Sequence, residues 1–403
     1  MTVAKPWIQI LGAGQWQLPV IARAKAIGLN VLAVDRDANQ PGYTLADRWA
    51  LCDLMDEGGQ LRIAREFGVM GLLSPTSDIG VYAAAEAAAE LGLAGPGRHG
   101  ARIATDKAAL FAGAVSVGFA NRRSQLLLTG DPAPAWFGDC IVKPVDNQSG
   151  RGVSRVSNAA ELPSAVDHAV AHSPCGRVLV EDWLAGDEYV IDGYVYRGRF
   201  QLLGLARKRR DPDNPTVAVG IDYLMPPERD YFSARLIPPL QALLDRSGWG
   251  SSLLHVELID SPSGPQVIDL AARGGGALIF SHALPTHLGT NLFDLALRLA
   301  LGELPPAPQE PQVAVVIEFL RCPHGCFEEF VGLDEMRAQS GVVAIYQAVQ
   351  AGDRVSVPGD KDARPGLLIC QGADTQSARD RATRVKSMLR VRLAGETEPR
   401  LLL

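Results

Sequence analysis

The sequence predicts a mixed α/β and α+β protein of three domains, and three observations lead there. The opening stretch alternates strand, turn, helix and strand. The middle is rich in strands, and a Pro-rich connector then separates a smaller α/β stretch at the end. At 403 residues the chain exceeds one ordinary core, since domains run to roughly 150 residues. With 47% apolar and 21% charged residues it has enough apolar surface to bury stable cores. The net charge of -6 and the lack of a long Lys/Arg run remove the footprint of nucleic-acid binding, so small-molecule partners are expected. The start, MTVAKPWIQILGAG, lacks a basic stretch followed by a long apolar run. Apolar windows are too short to span a bilayer, so a cytoplasmic protein is expected. Six scattered cysteines read as reduced thiols. Cys322 and Cys326 flank His324, but no second ligand pair stands nearby at a zinc spacing.

In chain order, WIQILGAG reads as an apolar strand ending in glycine, LPVIARAKAIG as a helix closed by Gly28, and LNVLAVD as a second strand. QLRIAREFG, VMGLLSP and an Ala-rich helix from about Asp78 to Leu91 continue the alternation. Residues 1–94 are therefore expected to form an open parallel-sheet domain. From Cys140 follow CIVKPV, RVLVEDWL, YVIDGYVYRGRFQLLGLA, LLHVELID and PQVIDLAA, an α+β pattern. The central domain is expected over 95–304, with a lid at about 107–185. ELPPAPQEP, from Glu303 to Pro311, is the connector, and 312–403 the C-terminal lobe.

Four segments carry candidate chemistry. In LGAGQWQ, Gly12 and Gly14 precede a helix as in a dinucleotide fingerprint, but Gln17 stands where the third glycine belongs. A tight turn facing a substrate cleft fits better than a nicotinamide site. In CIVKPVDNQSGRG, Lys143 lies mid-strand where an unpaired charge would be costly, so it should meet an anion. Ser149, Gly150 and Gly152 after it suit a phosphate flap, glycine allowing close backbone approach; a plain hairpin is the alternative. With no GxxxxGK[ST] present, a P-loop is excluded. In VLVEDWLAGDE, Glu181 and Glu188 flank a turn at Gly186 and could accept from an adenine amino group and ribose hydroxyls. In HVELID and QVIDLAARGGG, Glu257 and Asp269 sit in apolar strands separated by one turn, and two such carboxylates repel unless cations lie between them. Mg²⁺ suits oxygen ligands of this kind. Arg273 and the run Gly274, Gly275 and Gly276 then offer a guanidinium and open amides to a transferring anion.

Taken in order, these segments resemble the ATP-grasp superfamily over nearly the whole chain, and within it the amino-acid ligase branch. The resemblance implies a Rossmann-like N-terminal domain, a central ATP-grasp domain with a lid, and a small C-terminal lobe. It implies ATP with Mg²⁺ or Mn²⁺ as cofactors, and suggests a homodimer. IATDKAALF looks like the segment carrying the first nucleotide lysine, Lys107, and IVKP like that of the second, Lys143. EDWLAGDE is similar to the hinge, which implies Glu181 at adenine, Asp182, Trp183 and Leu184 lining it mainly through backbone, and Glu188 on ribose. Lys208 falls at a basic position near phosphates or substrate, Glu257 and Asp269 at the metal carboxylates, and Arg273 at the acyl phosphate. Two departures stand out: Ala271 replaces an Asn common in the superfamily, and the stretch between Lys107 and Lys143 is short.

The implied reaction transfers the ATP γ-phosphoryl group to a carboxylate, and an amine then attacks the mixed anhydride. Positioning and charge neutralisation would do most of the work, with Arg273, Lys143 and Lys208 as the catalytic cations. The substrate pockets should lie between LGAGQWQ, SPTSD and RGGGALIFSHALPTHLG, where Ser281, His282 and His287 are polar candidates. The alternatives are a bicarbonate-using carboxylase or purine-pathway enzyme of the same superfamily, and a nucleotide-binding protein without turnover.

Overall fold

The structure is a computed structural model that describes residues 5–148, 150–212, 214–355 and 364–402. Its N-terminal part is a parallel sheet in the order Arg48–Leu51, Asn30–Asp35, Trp7–Leu11, Gly71–Leu73. The two inner strands are mostly apolar, as strands covered on both faces tend to be, and the one polar residue inside the first, Gln9, is buried and donates to Gln60 Oε1 at 2.7 Å. Gly12, at φ +95°, makes the turn out of the first strand. The Gln17 side chain fills the space beside it, its Cδ lying 3.0 Å from where a Cβ on Gly12 would stand, and its Nε2 donates to Thr76 Oγ1 at 3.0 Å. Asp35 accepts from Ala13 N at 3.0 Å.

The centre is an antiparallel sheet of eight strands ordered Gly264–Ala271, Ser252–Ser261, Asp187–Tyr196, Arg199–Arg210, Ala218–Tyr223, Ala314–Phe319, Gly366–Gly372, Val342–Gln347. Side chains alternate between its faces with period two. Tyr189, Ile191 and Val195 pack with Leu236, Leu240 and Leu243 of the helix Glu228–Ser247. Val190 and Tyr194 turn the other way, into a cluster shared with Leu292–Ala300 and with Val20, Ile21 and Ala24 of the N-terminal helix Leu18–Ala26. The sheet also runs across the expected boundary at the connector, because Ala314–Phe319 pairs with Ala218–Tyr223. A buried polar knot reinforces that seam: Asp222 accepts from Arg209 and from Arg379, and Arg209 also reaches Glu318.

The lid is a separate four-stranded sheet in the order Ser124–Leu128, Arg177–Asp182, Cys140–Pro144, Ser154–Val156, covered by Leu162–Ala171 around Val142, Val156, Leu162 and Val180. The helix Lys107–Ser116, expected from the sequence to belong to the lid, instead buries Leu110 and Ala114 against the central sheet. The apolar face of that helix complements the central core, so the compact lid begins after it. Among the described residues no helix is long and apolar enough to cross a membrane.

Candidate active site

A cavity of about 750 Å³ lies between the lid and the central sheet. On its lid wall Lys143, Glu181 and Arg122 are 6%, 2% and 8% exposed. Lys143 Nζ meets Glu181 Oε2 at 2.7 Å, and Arg122 meets Oε1 at 3.0 Å. Burial pushes the Lys143 ammonium below its ordinary value despite Glu181 beside it. Burial alone would raise the Glu181 carboxyl, but Lys143 and Arg122 more than offset that and hold it low. Lys143 therefore meets the anion its buried position requires, and that anion is Glu181. Both Glu181 oxygens are committed to side-chain cations, so the expected contact from Glu181 to an adenine amino group competes with those pairs.

Asp182 turns its side chain to Arg123, at 2.7 Å, while Trp183 and Leu184 line the cavity. Arg155 lies 4.4 Å over the Trp183 ring. On the sheet wall the sequence Lys208–Arg209–Arg210 alternates as a strand must. Lys208 and Arg210 reach Glu188, whereas Arg209 points into the Asp222 knot. Lys208 Nζ bridges Glu188 at 2.8 Å and Glu257 at 2.7 Å, joining two carboxylates 69 positions apart in the chain.

Glu257 and Asp269 are direct cross-strand partners. They are not the fully buried acids expected from their apolar flanks, since their side chains are 26% and 39% exposed. Each opens on two cavities, the one described and a second of about 440 Å³. Lys107 Nζ lies 3.3 Å from Asp269 and donates to Asn147 O at 2.8 Å. Behind Glu257, Tyr223 donates to Asp192, which pairs with His255 at 2.7 Å. The His255 ring stands 3.9 Å from Glu257, and Asp192 raises its basicity against the opposing effect of burial.

The second cavity is walled by Glu257, Asp269, Arg273 and Gly276 on one side and by Phe319, Tyr346 and Arg364 of the C-terminal lobe on another. Trp16 of the LGAGQWQ turn touches Tyr346, with ring centroids 5.0 Å apart. The loop between the walls holds Ala277 and Leu278 at φ 51° and 60°, a conformation disfavoured for side-chain-bearing residues and found at constrained sites.

Several residues sit differently from what their motifs suggest. Arg273 lines the second cavity, yet its Nε and Nη2 make a two-point pair with Asp78 at 2.7 Å each. Gly274 and Gly275 are glycines for packing, because a Cβ would come within 2.4 Å of Phe280 and 2.6 Å of Ile279 respectively. Only Gly276 of the three has open space beside it. Ser281 and His282 hydrogen-bond each other at 2.8 Å and line neither cavity. His287 is fully buried, with its ring against Tyr223 and Nδ1 on Val313 O, and burial lowers its pKa to about 4. Gly150 lines both cavities, but Gly152 is buried where a Cβ would stand 2.6 Å from His172. Ser149 lies outside the described residues.

Sequence reasoning alone does not assign Arg122, Asp78, His255 or Arg364 to the site. Asp78 carried a signal, since SPTSD is expected beside RGGG, and Gly274 N indeed donates to Pro75 O at 3.2 Å. Arg122 and Arg364 lie in segments without a motif, and only the fold brings them in.

Residues 137–280 match the ATP-grasp domain family, and residues 318–394 match L-amino acid ligase C-terminal domain 2. A formate-dependent phosphoribosylglycinamide formyltransferase of Burkholderia pseudomallei (strain 668) is 26% identical, the alignment covering 95% of each chain. The structure of an L-amino acid ligase from Bacillus licheniformis superposes with a TM-score of 0.81 at 18% identity, over 98% of this chain and 100% of that one. A phosphoribosylglycinamide synthetase from Anaerococcus prevotii gives 0.71 at 15%, over 97% and 100%. The structural likenesses establish the fold.

Proposed function

Because the chain belongs to the ATP-grasp ligases, enzymes that form ADP, we propose that it joins a carboxylate to an amine, both small metabolites of the amino-acid class, with ATP as energy source. The observation that carries this reading is the pair Glu257 and Asp269, set between two cavities so that one ion and its phosphates would face both. The match of 318–394 to the amino-acid ligase domain favours amino acids over other carboxylates.

Two cross-strand carboxylates fit Mg²⁺ or Mn²⁺, hard ions that take one or two protein carboxylates and complete their shell with phosphate oxygens and water. With Ala271 in place of an Asn, the third ligand would come from solvent or substrate. Bound there, the ion would neutralise charge on the transferring phosphoryl group. The chain's own residues do the rest. Lys143 and Lys107 approach from the lid side and from a helix start, and Lys208 from the sheet, so phosphate oxygens entering the cavity exchange one set of anions for another around fixed cations. Trp183 and Leu184 would hold the base, Glu188 the ribose, and the Gly150 turn would cover the phosphates.

In the proposed first step a carboxylate oxygen takes the γ-phosphoryl group and the bond to ADP breaks. In the second the amine nitrogen attacks the acyl carbon, a proton leaves the nitrogen, and phosphate departs with that carboxylate oxygen. Arg273, held by Asp78 on the wall of the second cavity, would meet the acyl phosphate, and closure of the lid would keep water from it. In this account residues 1–94, 95–304 and 312–403 supply the cleft floor, the ATP site and the far wall. The proposal extends to a cytoplasmic homodimer.

The test is ADP release from Mg-ATP with single and paired amino acids, with formate and bicarbonate in separate wells. Release that needs a carboxylate and an amine together, and is lost in Glu257→Gln, supports the ligase. Release with bicarbonate alone would sink it in favour of a carboxylase. Tight ATP binding without release would leave a nucleotide-binding protein.

A further inference from the structure

The cations named so far around the two cavities, Arg364 apart, are paired. Lys143 and Arg122 hold Glu181, Lys208 and Arg210 hold Glu188, Lys107 meets Asp269, and Arg273 holds Asp78. Arg364, on the far wall of the second cavity, differs. Its Nη2 donates to Ala218 O at 2.7 Å and its guanidinium lies 4.0 Å over the Phe319 ring, but its buried Nε has no hydrogen-bond partner among the described residues. Among the described residues no carboxylate forms an ion pair with it. Burial lowers its pKa to about 10, against the raising effect of Glu257. A guanidinium this buried, with no carboxylate partner among the described residues, is costly, and it lines the second cavity. Beside it that side of the cavity is mostly apolar, with Ile221, Phe319 and Leu367 next to Tyr346.

We propose that Arg364 binds the free carboxylate of an apolar amino acid that serves as the amine-bearing substrate. This rests on the ligase reading above and adds to it the class and orientation of one substrate. An amino acid offered as an amine carries a carboxylate of its own, which must be kept from phosphorylation. Arg364 stands on the C-terminal wall and Glu257 and Asp269 on the other, so binding the carboxylate at Arg364 leaves the amine directed toward the acyl carbon. The planar fork of a guanidinium suits two-point recognition of a carboxylate.

The experiment uses the full chain with Mg-ADP present and L-leucine, L-leucinamide and 3-methylbutyl phosphate as calorimetric probes. Arg364→Gln should weaken leucine at least tenfold, Arg364→Lys should restore part of that, and leucinamide should bind both variants as it binds the unaltered chain. Should neither variant fold, preference for leucine over leucinamide in the unaltered chain carries the test. The inference is overturned if leucine does not bind or binds no better than leucinamide, or if Arg364→Gln leaves it unchanged or weakens leucinamide equally. Tighter binding of the phosphate probe, lost in Arg364→Gln, would also overturn it by giving the residue to a phosphate. Failure of the ligase reading looks different: leucine binding stays sensitive to Arg364→Gln while no amino-acid pair releases ADP.

Discussion

The two cavities that meet at Glu257 and Asp269 are built on opposite plans. The nucleotide-side cavity takes most of its charged residues, Arg122 apart, from short contiguous motifs, and its cations are neutralised by carboxylates before any ligand arrives. The other draws on the Gly150 turn, the central hairpin and the C-terminal lobe, and it leaves Arg364 without a carboxylate partner among the described residues. The first plan suits a ligand common to a whole family, because pre-paired charges hold the site's shape and exchange partners when phosphates enter. The second suits a ligand that differs between members, since walls from three distant segments can change independently.

Substitutions should break this contrast in graded ways. The largest effect is expected at the shared hinge: Glu257→Gln should cut ADP release by about 10³-fold or more, because a lost metal carboxylate removes charge stabilisation that exists only in the transition state. Nucleotide affinity, measured separately, should fall far less.

Within the nucleotide cavity, Lys143→Met strands Glu181 beside Arg122 alone. Breaking a buried pair by removing one partner costs about 3–5 kcal/mol, so urea unfolding should register the loss along with weaker ATP binding. An unchanged denaturation midpoint would mean the pair is not closed in solution.

On the substrate side, Asp78→Asn should lower stability, because the Arg273 guanidinium loses its carboxylate, and should release the Arg273 fork. A drop of about 10–100-fold in kcat/KM with unaltered ATP affinity is expected, because catalytic groups depend on such orientation. Equal losses in ATP affinity would erase the proposed division between cavities.

His287 supplies a pH test away from both. Its folded pKa of about 4 lies below the ordinary 6.5, so the folded state favours the neutral ring. Its contribution is complete above pH 6.5 and is lost as the pH falls toward 4, a loss of roughly 3 kcal/mol from the work of keeping a proton off the buried ring. Acid unfolding of His287→Gln should be correspondingly flatter over that range. A still smaller effect is expected at Gly276→Ala, which meets open space and should shift stability by less than about 0.5 kcal/mol. Gly275→Ala, one residue away, should be clearly destabilising through contact with Ile279 and with the Asp192–His255 pair.

The same contrast governs how much can be read from the chain. The parallel N-terminal sheet and the hairpin of Glu257 and Asp269 are legible from periodicity, and Lys143 draws notice as a charge set mid-strand, whereas Lys107 and Lys208 are expected only through the family resemblance. Gln17 in place of a third glycine argues for a tight turn, and its side chain fills the space beside Gly12. Arg364 is invisible, because nothing local distinguishes an arginine before a strand from a solvated one. Gly274 and Gly275 look like open amides, whereas tertiary packing against Phe280 and Ile279 explains them. The lid boundary is misplaced for a related reason: an apolar helix face does not say which of two cores it will join.

The central claim, that the carboxylate pair couples ATP cleavage to amide formation through an acyl phosphate, can be tested by following oxygen. Turnover should be run with a carboxylate substrate carrying ¹⁸O in both oxygens, and the released phosphate analysed by mass. The account predicts one ¹⁸O in each phosphate formed, because the bridging carboxylate oxygen leaves with phosphorus when the amine attacks. Phosphate free of label while amide accumulates would contradict it.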